Sequence, residues 1–300
     1  MLGLFADNLL PVFLAAAAGY VLAWRLRIDP KPVAQLAFFV LAPCLVFQII
    51  LESDLPGDAL VRMVAFTATG MLVLAALAAI GARALGWPRT LIAALVLVVL
   101  LPNSGNFGLS ANLFAFGEFG LAQASVFFIT SAVLTFTVGV FVASLGRSSL
   151  RDTLLGMLRV PAIWALAVAI AIAQTGTQLP VPLARTVHLL SQASIPVFMI
   201  VLGMQLYGRG IAGPWGPVAL GTGMRLVGGA VVGLALAGIT GLTGTARQAG
   251  VLQSAMPSAV ITIVLATEYD VEPAFVTSVV ISTTLLSPLT LTPLLAYLGA

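Results

Sequence analysis

The stretch that decides the fold is Leu101-Pro102-Asn103-Ser104-Gly105-Asn106-Phe107-Gly108-Leu109-Ser110. It is a polar break in an apolar run: residues 91–100 before it are wholly hydrophobic and 111–116 after it largely so. Pro102 removes a backbone donor and clashes with the preceding turn, while Gly105 and Gly108 admit non-helical dihedrals. Unwound backbone at membrane depth is tolerated only where it is buried in protein or lines a water-filled cavity. Asn103, Ser104 and Asn106 carry amides and a hydroxyl that can satisfy such backbone or bind a ligand. The half-helix that restarts after the break exposes amide donors and a partial positive charge, which suit a carboxylate. The blander alternative is a Pro-kinked helix whose Asn and Ser side chains only hold neighbouring helices together. The density of polar residues, and a second break described below, favour a binding site.

What surrounds the break is a membrane protein. The 300 residues are 60% apolar and only 8% charged, with a mean hydropathy of +1.13, whereas about a quarter of an ordinary soluble domain is charged. A bilayer core about 30 Å thick takes about 20 residues per helix. Charged or turn-rich breaks fall at 25–32, 52–58, 83–89, 117–120, 147–159, 174–185, 208–217, 241–247 and 268–273, which delimit ten apolar spans near 4–24, 33–51, 60–82, 90–116, 121–145, 160–175, 186–207, 217–240, 247–267 and 274–298. The class expected is an all-α integral membrane protein of ten transmembrane helices, without a separate soluble domain. The N-terminus lacks the basic region of a signal peptide and reads as a retained first helix. The pI near 9.5 does not signal nucleic acid, because no basic stripe with interleaved aromatics is present. Arg25, Arg27, Lys31, Arg83, Arg89, Arg147, Arg151, Arg159, Arg209 and Arg225 fall at alternate breaks, against Arg62, Arg185 and Arg247 on the others. The positive-inside bias makes the first set cytoplasmic and puts both termini outside the cytoplasm.

Prolines recur at nearly constant spacing between the halves: Pro11 with Pro161, Pro43 with Pro196, and Pro102 with Pro257. Five spans per copy is an odd number, so the second copy enters the bilayer inverted. Inverted repeats with discontinuous helices meeting near the midplane are a secondary-transporter architecture. The expected organisation is a first five-helix repeat at 1–146, a short cytoplasmic linker at 147–159 and a second repeat at 160–300, with broken helices four and nine crossing. The partner break is Gln253-Ser254-Ala255-Met256-Pro257-Ser258. It is less polar, so its contribution is expected mainly from Ser258, freed backbone and Gln253. The substrate-binding set is therefore Pro102, Asn103, Ser104, Gly105, Asn106, Met256, Pro257 and Ser258, with Gln253 and Arg225 as further candidates.

Other residues are weighed against plainer roles. Cys44 and His188 are each the sole residue of their type, so neither a disulfide within the chain nor a Cys or His metal cluster is expected; no catalytic residue, metal or cofactor is assigned. Arg225, several residues into the eighth span, reads first as a snorkelling side chain at the cytoplasmic end and second as a carboxylate partner in a cavity. Asp7, Glu118 and His188 lie near predicted outer ends. Trp24, Trp87 and Trp215 fit an interfacial aromatic belt. Gln48, Gln123, Gln192 and Gln205 either bond between helices or line a cavity.

The Pro102–Gly108 string in the fourth of ten spans, the Met256-Pro257 break in the ninth, the outside termini and the short central loop together resemble the auxin efflux carrier family in its bacterial form, over essentially the whole chain. The resemblance implies the fold shared with bile-acid symporters and sodium/proton antiporters, in which a transport domain holding the crossed spans moves against a scaffold. It implies transport of small organic anions, mono- or dicarboxylates, across a bacterial inner membrane, with Pro102 and Pro257 as crossover prolines and Asn103 and Asn106 nearest the substrate. Plant members carry a long regulatory central loop; residues 146–159 are too short for one. The coupling ion, proton or sodium, stays open, and a homodimer is compatible with the sequence. The other classes considered are a passive channel and an intramembrane enzyme. The enzyme is disfavoured because the densest acidic group, Glu268, Asp270 and Glu272, lies in a loop and His188 lies at another level from Ser104.

Overall fold

A computed structural model describes the chain except for residues 53–56, 145–157, 159, 176 and 213. The linker expected at 147–159 thus lies outside the described residues apart from Leu158. Among the described residues every regular element is helical: α1 Leu2–Leu26, α2 Pro30–Glu52, α3 Gly57–Ala84, α4 Arg89–Leu100, α5 Ser104–Ala143, α6 Pro161–Thr175, α7 Val181–Leu206, α8 Trp215–Ile239, α9 Gly244–Ser254, α10 Ile261–Glu268 and α11 Pro273–Leu298. Among the described residues seven of these, α1, α2, α3, α5, α7, α8 and α11, are long and apolar enough to cross a membrane. α4 and α6 are shorter apolar helices, and α9 and α10 are the two sides of the second break.

Local chemistry sets the helix ends. Asp29 caps α2 by accepting from the Lys31 N–H at 3.0 Å, and Pro30 opens the helix at a position where no N–H is needed. The long α5 is bent at Gly117, whose φ of 65° and ψ of −160° lie in a region open essentially to glycine. That turn falls inside the break expected at 117–120, so α5 joins what the sequence presents as the end of the fourth span and the fifth. α7 begins at Val181 rather than near 186, because Pro180 and Pro182 both tolerate a helix start.

The helices pack in two groups. α1 lies along α7, and α2 packs on both α6 and α7. The second group is built from α3, α4, α5, α8, α9, α10 and α11, with α9 held between α5 and α8 and α4 between α3 and α11. Glycine permits the closest contact of the first group: a Cβ on Gly203 would sit 1.6 Å from the Ala16 carbonyl oxygen, and one on Gly19 2.0 Å from that of Ile200. Small residues that let helix backbones touch are a membrane packing device, since lipid tails leave little hydrophobic drive between helices. The two groups meet where the start of α5 contacts α7, and through the Phe13–Phe107 and Phe38–Phe136 ring pairs.

Polarity is distributed inside out. Leu77, Ile80, Ile239 and Leu289 are exposed, whereas Asn103, Ser110, Asn112, Gln253, Ser258 and Thr283 are buried. A soluble fold with that pattern would leave apolar faces in water; in a bilayer the same faces meet lipid. Contacts at the ends fix relative sides. Thr90 at the start of α4 donates to Glu272 beside α11, whereas Arg62 near the start of α3 donates to the Gly241 carbonyl and Gln248 to that of Leu298.

Candidate functional site

The two breaks meet. Between α4 and α5 the chain is extended at Leu101, and between α9 and α10 it is open from Ala255 to Val260. Pro102 and Ser258 form an isolated antiparallel bridge: the Asn103 N–H donates to the Pro257 carbonyl at 2.7 Å and the Ala259 N–H to that of Leu101 at 2.9 Å. Each proline frees backbone groups in its own helix, and the two unwound segments pair them with each other. Such pairing is required here, because an unsatisfied buried peptide group costs about 1–3 kcal/mol or more.

Side chains complete the backbone's hydrogen bonds. The Ser258 hydroxyl donates to the Val98 carbonyl at 2.7 Å, and the Ser258 N–H donates to the Thr283 hydroxyl at 3.1 Å. Gln253 Nε2 donates to the carbonyls of Ser104 and Ala124 at 3.1 and 3.2 Å. Arg225, only 2% exposed, donates to the carbonyls of Val99 and Ser254. The snorkelling reading of Arg225 is therefore overturned: α8 makes a π-helical turn over Met224–Gly228, and the guanidinium points into the protein. Gln253, Ser258 and Arg225 hold the frame of the crossover. Gly105 and Gly108 also act differently from expectation. Neither has a positive φ; their use is close approach, since a Cβ on Gly105 would lie 2.9 Å from the Phe128 ring and one on Gly108 2.0 Å from Gln253 Oε1.

What remains for a ligand is narrower than the expected set. Ser104 shares a 2.6 Å hydrogen bond with Ser131, and the Ser104 N–H donates to the Pro102 carbonyl. Met256 and Pro257 are buried, Met256 donating its N–H to the Gln253 carbonyl. Asn103 differs: its backbone is engaged, but its buried Nδ2 has no acceptor among the described residues. Asn106 is half-buried and makes one long bond, Nδ2 to Gln205 Oε1 of α7 at 3.4 Å. The first helical bond after the break is the π-type Gly108 N–H to Asn103 carbonyl at 2.9 Å, so the amides of 105–107 precede it at the positive end of the restarting helix. The structure thus brings the expected residues from both breaks together. Arg225 Nε and Gln253 Oε1 also lack partners among the described residues, but their side chains are anchored through their remaining nitrogens, whereas the side-chain amide of Asn103 has no donor bond and that of Asn106 only the long one. Sequence reasoning missed Thr283 and Ser131 as partners of the crossover. The polar run Ser282-Thr283-Thr284 within an apolar span was the signal for the first.

The chain is a polytopic helical membrane protein whose two broken helices pair at their breaks, with uncommitted amides beside the pairing. Residues 143–295 match the family described as membrane transport protein. The chain belongs to that family, the auxin efflux carrier type. An uncharacterized transporter of Methanothermobacter thermautotrophicus is 27% identical over 288 residues, 94% of each chain, and one of Methanocaldococcus jannaschii is 27% identical over 199 residues, 64% of each. The family and these relatives are transporters, not enzymes.

Proposed function

We propose that the protein is a secondary active transporter for a small organic anion, a mono- or dicarboxylate, bound beside the crossover and exposed to the two sides of the membrane in turn. The observation that carries this reading is Asn103 Nδ2, a buried donor without an acceptor at the point where the two breaks pair. Buried donors are nearly always satisfied, and a carboxylate there would accept from it and from the positive end of α5. Asn106 lies on the same turn and touches α7 of the other helix group, so a ligand between them would sense movement of one group against the other. Two inverted five-helix repeats, 1–146 and 160–300, account for the paired proline breaks and their antiparallel bridge; in this reading α4 with the first part of α5 is the fourth of ten spans, and α9 with α10 the ninth. The arginine distribution supports a plasma-membrane orientation, the inner membrane in a bacterium, with both termini outside the cytoplasm. The described carboxylates are exposed, so proton coupling is given no residue here.

The test is a thermal-shift panel of monocarboxylates, dicarboxylates and amino acids on purified protein, followed by counterflow in proteoliposomes. A carboxylate that raises the melting temperature and shows saturable, trans-stimulated uptake is expected. Uptake without saturation or trans-stimulation would make the protein a channel.

A further inference from the structure

We infer that Arg225 is a built-in cation, seated where carriers with broken helices hold a coupling ion. In such carriers the C-terminal ends of half-helices and unwound carbonyls coordinate the small cation. Here α4 and α9 both end at the crossover, and the one guanidinium donates to a carbonyl of each, Val99 and Ser254. The charge balance fits. Each helix C-terminus carries about half a negative charge, so two such ends together neutralise one guanidinium. No carboxylate among the described residues lies within ion-pair distance of Arg225, and its burial leaves those carbonyls as its counter-charge.

The surroundings are shaped for this seat. Gly229, one turn further along α8, leaves it room: a Cβ there would lie 2.3 Å from the Ser254 carbonyl oxygen and 2.5 Å from Arg225 Nη2. At Gly233 a Cβ would come within 2.8 Å of the Ser254 side chain, so α8 lies directly against the end of α9. Besides Arg225, Gly229 and Ser254, the small cleft beside the guanidinium is lined by Gly70, Met71, Leu74, Pro102, Phe127 and Val232, whose side chains offer no ligands to a cation. Arg225 is anchored to α4 and α9, hence moves with the crossover and is not released. The positive charge is thus a permanent part of the carrier, and a free metal cation has no place at these carbonyls until the arginine is removed.

The experiment is thermal unfolding of the purified full-length protein in choline chloride, sodium chloride, potassium chloride and guanidinium chloride, each at millimolar concentration. The wild-type melting temperature is expected to be the same in all four. Arg225→Gln, which keeps donor groups but loses the charge, is expected to melt lower in choline by about 5 °C or more and to regain at least half of that loss in sodium or guanidinium. Arg225→Lys is expected to stay near wild type and insensitive to the salt. An Arg225→Gln protein as stable as wild type, or one whose loss no small cation relieves beyond choline, would overturn the inference. Should Arg225→Gln not be recovered folded, Arg225→Lys decides: a folded, salt-insensitive protein supports the built-in cation, and one as impaired as Arg225→Gln contradicts it. No substrate enters this measurement, so its failure is separate from failure of the anion reading.

Discussion

At the scale of the residue, the crossover divides its polar side chains into those that complete the backbone and those whose amides stay uncommitted, which the proposed function gives to the substrate. Ser258 belongs to the first kind: Ser258→Ala strands the Val98 carbonyl and is expected to cost about 1–3 kcal/mol of stability, read as a lower melting temperature with substrate affinity in the surviving protein unchanged. Asn103 and Asn106 belong to the second. Losing a hydrogen bond to a charged ligand costs about 1.5–3 kcal/mol, so Asn103→Ala or Asn106→Ala is expected to weaken substrate about 10- to 100-fold, measured by binding or uptake, with the fold intact by melting. The polar residue types at each break were legible in the sequence. Their division was not, because Gln253 is committed by carbonyls 149 and 129 residues away, and nothing in its own neighbourhood announces that. Arg225 misled for a similar reason: its short distance from a predicted helix end suggested water, while a π-turn and two helix termini drew it inward.

At the scale of the element, glycine sets how closely helices approach, and its dihedral freedom interrupts α5 at Gly117. Gly108→Ala places a methyl where Gln253 Oε1 stands and would push Gln253 off the carbonyls of Ser104 and Ala124. The expected outcome is loss of both thermal stability and transport, whereas Gly223→Ala, with open space at its Cβ, leaves both unchanged in the same assays. Gly203→Val would separate α1 from α7 and reduce the yield of folded protein, measured by size-exclusion profile. Helix existence was legible from apolar run length and the proline breaks. The role of the glycines was not, since a Gly that permits a turn and one that admits a neighbouring helix look alike in sequence. The boundary between the fourth and fifth expected spans survives as the break inside α5, where the non-helical φ and ψ of Gly117 interrupt the helix.

At the scale of the whole molecule, the two helix groups meet through α1, α2 and α7 against α5 and through α1 against α11, and the alternating exposure proposed above requires them to move against each other. Phe38 of α2 and Phe136 of α5, with ring centroids 5.7 Å apart, bridge the two groups. In a Cys44→Ser background, Phe38→Cys/Phe136→Cys joined by a short reducible thiol cross-linker is expected to lose transport and regain it on reduction, while each single variant transports with or without the reagent. The membrane class and the crossing of two proline breaks were legible from composition and from proline spacing, because burying apolar area in lipid and satisfying freed backbone leave few alternatives. The grouping of α1, α2, α6 and α7 apart from the rest was not legible in the sequence, since side-by-side packing of uniformly apolar helices leaves no periodic signal. The central claim, that a carboxylate binds at the uncommitted amides of the crossover, is tested most directly by carboxylate uptake into proteoliposomes with wild-type and Asn103→Ala protein. The account predicts saturable, trans-stimulated uptake by the wild type and its loss or strong weakening in the folded variant; undiminished affinity and rate in Asn103→Ala would contradict it.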